Sequence, residues 1–300
     1  MGQRTLADTI REITRNHLEH NNGLLLGESI TAVGWVNNTV PDCRGIVELP
    51  MTDVAGAGIA VGAALAGRRP IFVIRFQDFL ILNGSPLIYY AAKVKELHGS
   101  TAPVFVRAIA TDNLGPVHSG VLHSIFMHFP GFRVWAPMTP GEYEDTWKDY
   151  LSHDDPMIVS EYRLSYATTG EYRDRRTDGA EITLFAISSP RLEVEKASEI
   201  LSTRGIKSNI VHIVRLKPFD IDEGRMLEPL RASKRGLVID SGHEIAGAGR
   251  SIAYELSSAS GCRVNALGLK DATKCLSAPL RNAAPDAARI VETVTALLQR

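Results

Sequence analysis

Twenty residues constrain this chain more than any others: Glu48-Leu49-Pro50-Met51-Thr52-Asp53-Val54-Ala55-Gly56-Ala57-Gly58-Ile59-Ala60-Val61-Gly62-Ala63-Ala64-Leu65-Ala66-Gly67. A proline-bearing turn leads into one acid, Asp53, and no charge follows until Arg68. The apolar run is too long and too rich in alanine for a strand, so it predicts a buried helix. Gly56, Gly58 and Gly62 thin that helix and would let another backbone approach it closely. A carboxylate at a helix mouth is favoured by the dipole of the first turn. Asp53 therefore reads either as a cap for the helix or as an acid kept ionised for use.

The same glycines match a relaxed dinucleotide-binding fingerprint. That fingerprint follows a hydrophobic strand directly, whereas Pro50, Thr52 and Asp53 interrupt the approach here.

Short apolar runs alternate with helical spacings on either side of this stretch. Residues 23–29 predict a strand ending at the acid Glu28, and residues 46–49 a second strand that delivers Asp53. Further strands are predicted over 70–76, 103–109, 132–137 and 156–160, with helices over 5–18 and 87–97. Residues 167–179 are polar, turn-rich and aperiodic, which marks a linker. A second alternating set follows: strands over 182–187, 208–214, 236–240 and 262–267, helices over 191–204, 249–257 and 286–298, and a loop over 216–220. Gly247-Ala248-Gly249 reads as a strand-to-helix turn. The alternation predicts an α/β chain of two three-layer domains, residues 1–172 and 173–300, each built on a mostly parallel sheet covered on both faces.

The bulk numbers narrow the function. A chain of 300 residues can bury two cores, and a formal net charge of -1 leaves no electrostatic footprint for nucleic acid. No apolar run reaches the roughly 18 residues of a membrane span, and the first fifteen residues hold no apolar signal core. Cys43, Cys262 and Cys275 lie far apart without metal spacing, which predicts a reduced, cytoplasmic setting.

Taken together, several segments resemble the β subunit of the thiamine-diphosphate 2-oxoacid dehydrogenases and, more distantly, the later half of transketolase. In that family a Pro-x-Ser-Glu turn precedes Gly-Ile-Ala-Val-Gly-Ala; here Pro50-Met51-Thr52-Asp53 precedes Gly58-Ile59-Ala60-Val61-Gly62-Ala63. Leu26-Gly27-Glu28, Gly67-Arg68-Arg69-Pro70, Phe76-Gln77-Asp78-Phe79 and Ala91-Ala92-Lys93 recur in family order. Gly115-Pro116-Val117-His118-Ser119 and His128-Phe129-Pro130-Gly131 do so as well, and residues 216–220 with Gly242-His243-Glu244 resemble the family's C-terminal domain. The likeness covers nearly the whole chain. It implies a transketolase-like pyrimidine-binding domain followed by a transketolase C-terminal-like domain.

The resemblance also implies roles. The acid that stabilises the imino form of the cofactor's pyrimidine falls on Asp53, where the family has Glu, one methylene longer. Glu28 matches a family acid near the cofactor, and Glu48 reads as structural. Phe76 and Phe79 stand where the family stacks an aromatic on the pyrimidine, with Phe79 the better match. His118 falls where the family reaches the substrate side of the thiazolium. His123 has no counterpart, and His128 reads as structural.

Thiamine enzymes hold the diphosphate through Mg2+ bound by a Gly-Asp-Gly segment, which this sequence lacks. The implied assembly is thus an α2β2 heterotetramer, with an α subunit carrying the diphosphate and metal half. Its reaction would cleave a carbon–carbon bond next to a carbonyl of a 2-oxo acid or ketose. Other readings are the C-terminal subunit of a split transketolase, a non-catalytic assembly subunit marked by Asp53, and a nucleotide-dependent oxidoreductase.

Overall fold

A computed structural model describes residues 3–32, 36–111, 115, 117–273 and 282–299. Cys275 and Pro116 lie outside the described residues. The chain divides into two compact units, Met1–Glu171 and Tyr172–Arg300.

The first unit is built on parallel strands. Its β1 (Gly23–Glu28) lies between β2 (Ile46–Leu49) and β3 (Arg69–Ile74); β4 (Phe105–Ala110), β6 (Met157–Tyr162) and β5 (Arg133–Trp135) then continue the sheet from β3. Every pairing among them is parallel, with Leu25 opposite both Ile46 and Ile71, and Val106 opposite both Phe72 and Ile158. Strands buried on both faces read as continuous apolar runs, which is why β3, β4 and β6 were legible as such.

Helix α1 (Leu6–His20) covers one face of this sheet. It starts at a capping box, in which the Thr5 hydroxyl accepts from Asp8 N–H while the Asp8 carboxylate accepts from Thr5 N–H. With α6 (Pro140–Leu151) it buries Leu6, Ile10, Tyr143, Trp147 and Tyr150 against Leu25, Ile71, Val73, Phe105 and Val159. A charged cluster lies inside this core. Both oxygens of Glu161 accept from Arg107, Nε at 2.8 Å and Nη2 at 2.9 Å, and also from the hydroxyls of Tyr143 and Tyr166. Burial pushes both tyrosine hydroxyls well above their ordinary range, reinforced by Glu161. Burial works against the Arg107 charge too, but Glu161 outweighs it and raises the guanidinium further.

The Gly-rich run forms α2 (Val54–Leu65) as expected, on the opposite face. The expectation of a helix buried all round is corrected. Gly56, Ala57, Ala60, Val61 and Ala64 face inward, and a Cβ at Gly56 would meet the Leu49 side chain at 3.3 Å and the Phe72 ring at 3.6 Å. Among the described residues, nothing outside the helix's own backbone lies within 4 Å of a Cβ built at Gly58 or Gly62. The outer face of α2 carries Val54, Ile59 and Leu65, each about half exposed, and no charge. The neighbouring α3 (Leu80–Pro86) and the wide turn Leu87–Ala91 add exposed Ile81, Leu82, Tyr89 and Tyr90. Two further short helices, α4 (Val94–His98) and α5 (His123–His128), complete this unit.

In the second unit, β7 (Ile182–Ile187), β8 (Ser208–Ile213), the short β9 (Arg215–Lys217), β10 (Arg235–His243) and β11 (Arg263–Leu269) alternate with α7 (Pro190–Thr203), α8 (Glu228–Ser233), α9 (Ala248–Ser260) and α10 (Ala287–Leu298). The strands β11, β10, β7 and β8 form a parallel sheet in that order. Val194, Ala197 and Leu201 of α7 and Ile290, Val291 and Val294 of α10 pack on its Ile182, Leu184, Leu237 and Ile239. No helix of the described residues is long and apolar enough to cross a membrane. Among the described residues, Cys43 and Cys262 are free thiols.

Candidate active site

In the first unit, β1 is followed by β2 on one side and β3 on the other, so the strand order reverses between β1 and β3. Ligands of open α/β sheets bind in the crevice beyond the carboxyl ends of the strands at such a reversal. Glu28 ends β1, Arg75 and Phe76 follow β3, and Asp53 follows the turn after β2.

Asp53 stands at the N-cap of α2 yet does not cap it. Its side chain makes no cap hydrogen bond, and its backbone sits at φ +43°, a conformation that a non-glycine residue adopts only under constraint. The constraint is visible. Glu28 Oε1 accepts from both Thr52 N–H and Asp53 N–H, each at 2.8 Å, and so pins the chain just before the helix. Glu48 is engaged elsewhere, accepting from Ile30 N–H, Thr31 N–H and the Thr31 hydroxyl. The cap reading of Asp53 thus fails on geometry, since its carboxylate makes no cap bond at the mouth of α2.

Phe76, Phe79 and His118 meet edge to face. The Phe76 and Phe79 ring centres are 6.0 Å apart, and the His118 ring lies 4.7 Å from the first and 5.6 Å from the second. His118 is half-buried, and its carbonyl accepts from the Thr111 hydroxyl at 2.6 Å. His123 is fully buried with Nδ1 3.1 Å from the Ser160 hydroxyl.

Two arginines that the sequence reading passed over converge on the same ring. The Arg163 guanidinium lies 5.0 Å and that of Arg75 5.9 Å from the Phe76 centre. Arg163 Nη2 also donates to the Arg75 carbonyl at 3.3 Å. Burial lowers the pKa of both, offset in part for Arg75 by Glu28 and Glu48 and deepened by Arg163. The signal for Arg75 was present in the sequence: a cation between Ile74 and Phe76, at the carboxyl end of a buried strand, rarely serves packing.

The structure therefore holds two groupings at the carboxyl edge of one sheet. In one, Glu28 fixes Asp53; in the other, Phe76, Phe79 and His118 sit beside Arg75 and Arg163. Together they offer a hydrogen-bond acceptor of acidic character, a flat aromatic wall, a titratable imidazole and positive charge. Among the described residues no three His, Cys, Asp or Glu side chains are grouped to hold a metal ion.

Comparison with known proteins assigns this arrangement to a class. Residues 29–168 match the family described as transketolase, pyrimidine binding domain, and residues 171–290 match transketolase, C-terminal domain. The chain belongs to the transketolase-like proteins that carry these two domains in this order. Within that class the curated relatives it matches include β subunits named as oxidoreductases and as dehydrogenases. It is 28% identical to the acetoin:2,6-dichlorophenolindophenol oxidoreductase subunit beta of Cupriavidus necator, over 65% of this chain and 62% of that protein. It is 24% identical to the pyruvate dehydrogenase E1 component subunit beta of Staphylococcus epidermidis, over 86% of each. A solved split gene transketolase, described as an inactive beta4 tetramer, shares the fold at a TM-score of 0.75, covering 99% of both chains at 16% identity.

Proposed function

We propose that this chain is the β component of a heteromeric thiamine-diphosphate enzyme, cleaving a carbon–carbon bond next to a carbonyl of a 2-oxo acid or ketose. The observation that carries the reading is Asp53, an acid held at a constrained φ by Glu28, with its carboxylate committed to no helix cap. A pyrimidine ring nitrogen needs such a partner. The residues fit the cofactor's pyrimidine half: Asp53 would accept the hydrogen bond from the ring, and Phe79, with Phe76 behind it, would pack its face. When bound, thiamine diphosphate supplies the nucleophilic carbon that adds to carbonyls. Glu28 acts through Asp53, setting the backbone from which the acid reaches. His118 holds or passes a proton at an imidazole nitrogen on the substrate side. Arg163 and Arg75 add positive charge beside Phe76, which suits a substrate with an anionic end.

The diphosphate and its Mg2+ fall to a partner, because the sequence lacks Gly-Asp-Gly. The uncharged outer face of α2, with its open Gly58 and Gly62, is the surface on which we place that α subunit in an α2β2 assembly within the cytoplasm. Calorimetry tests the division of labour. The chain alone should show no tight binding of thiamine diphosphate with Mg2+, and mixing with its diphosphate-binding partner should create it. Tight metal-dependent binding by the chain alone would overturn the proposal.

A further inference from the structure

The two sides of the aromatic–imidazole grouping come from segments some forty residues apart, and one short turn joins them. Gln77 and Asp78 lie between Phe76 and Phe79, and both reach the stretch that follows His118. Asp78 Oδ2 accepts from Gly120 N–H at 2.8 Å. Gln77 Oε1 accepts from Leu122 N–H at 2.7 Å. The other end of the buried Gln77 amide donates to the Ser160 hydroxyl at 2.7 Å and to the Ala108 carbonyl at 3.1 Å, so its side chain is anchored to β4 and β6. The fit at Asp78 is tight: a Cβ at Gly120 would stand 2.7 Å from Oδ1 and 2.9 Å from Cγ of Asp78.

A carboxylate that accepts from a backbone N–H makes a short, charge-assisted bond with a defined direction. The Asp78 carboxylate and the neutral Gln77 amide, accepting from alternate amides 120 and 122, fix both the height and the rotation of the segment they grip. We infer that Asp78 is a positioning residue: with Gln77 it fastens the segment after His118 to the turn that bears Phe76 and Phe79, so the imidazole and the aromatic wall move as one body. The inference rests on the proposed role of His118 and adds to it the means by which the ring is aimed. It also accounts for glycine at 120, since any side chain there would push the segment off its anchor.

The test uses the full chain and its complex with the diphosphate-binding subunit. In the full chain, Asp78→Ala should speed amide exchange at Gly120 by about tenfold or more while the strands β3, β4 and β6 keep their protection; a merely structural role would raise exchange across the unit. Asp78→Asn keeps an oxygen that can accept from Gly120 N–H and should restore slow exchange. In the complex, Asp78→Ala should lower kcat by about tenfold with KM for thiamine diphosphate little changed, and Asp78→Asn should recover most of it, since misplacement near 1 Å costs rate steeply. Gly120→Ala should also lower kcat, and combining it with Asp78→Ala should add little, because the carboxylate it strikes is gone. Unchanged Gly120 exchange in Asp78→Ala would overturn the anchoring, and faster exchange with kcat intact would overturn the positioning role. His118→Ala decides separately whether the imidazole serves the reaction.

Discussion

Two regions of the first unit use charge in opposite ways. On the face covered by α1 and α6, Glu161 is fully buried and both its oxygens are filled by Arg107, Tyr143 and Tyr166. At the carboxyl ends of the sheet's strands, Asp53 makes no cap bond, and the Arg163 guanidinium lies over the Phe76 ring and donates to the Arg75 carbonyl. In this buried pair the carboxylate has nothing left to offer a ligand, although Arg107 Nη1 finds no hydrogen-bond partner among the described residues. A polar group kept in a constrained conformation with spare bonding capacity makes sense once a ligand completes it. The two regions belong to one sheet, so the difference lies in how fully each acid is bonded, Glu161 against Asp53, rather than in composition.

The comparison predicts that stability and activity separate by region. Arg107→Ala should be the most damaging change, leaving Glu161 as an uncompensated buried charge and costing about 3–5 kcal/mol of unfolding free energy in a denaturant titration. A loss below about 1 kcal/mol would show that Glu161 does not depend on Arg107 for compensation. Asp53→Asn should do the reverse. Its unfolding midpoint should stay near wild type, because asparagine tolerates positive φ, whereas proton exchange at the thiazolium carbon in the assembled complex should fall roughly 10²-fold. If exchange persists, Asp53 is not the cofactor acid, and a non-catalytic assembly subunit becomes the better reading.

A smaller effect probes the positive charge beside Phe76. Arg163→Gln should raise KM for a 2-oxo acid by about tenfold, near 1.4 kcal/mol, while leaving a neutral hydroxyketone unaffected. Equal losses for both substrates would mean that Arg163 supports Phe76 rather than reading charge.

The mildest prediction concerns an imperfection on the closed face. His17 is fully buried, edge-on to Trp147 at 4.8 Å, with Nε2 2.7 Å from the Arg69 carbonyl and no partner for Nδ1 among the described residues. Burial lowers its pKa, opposed by the hydrogen bond to the Arg69 carbonyl and helped by the charges of Arg69 and Arg68, so as pH falls the unfolded chain takes up the proton first. Its contribution is therefore complete above the unfolded value near 6.5 and is lost progressively below it, at most about 1.4 kcal/mol for each unit of depression. His17→Gln should flatten the fall in stability between pH 7 and 5. A wild-type curve already flat there would show that His17 is not the titrating group.

How much of this was legible follows from where each signal resides. Local patterns read well: β7 spans the apolar run 182–187, and α1 opens at Thr5. Helix α6 went unread, although Thr139 as N-cap with Pro140 behind it marks its start, a signal that hydrophobic periodicity alone passes over. Helix α3 ends at Pro86 and runs into a widened turn, so the single helix expected over 87–97 is broken up. The outward placement of Gly58 and Gly62 was not legible, since composition cannot tell a face pressed on the core from one held open. Asp53 stood out because charge is absent around it, but its φ and its hold by Glu28 depend on a residue 25 positions away. Arg163 was invisible for the same reason, its partners being 87 and 88 positions distant.

The bare outer face of α2 has a consequence for the cell that makes this chain. A helix presenting Val54, Ile59 and Leu65 to water, flanked by Ile81, Leu82, Tyr89 and Tyr90, is adhesive toward any other apolar surface. Each copy synthesised in excess of whatever covers that helix joins a pool prone to clumping and open to chaperone capture and proteolysis. Supply of this chain is thereby tied to supply of its cover: overproduced alone it should accumulate as aggregate, and co-production should rescue the yield without any change in sequence.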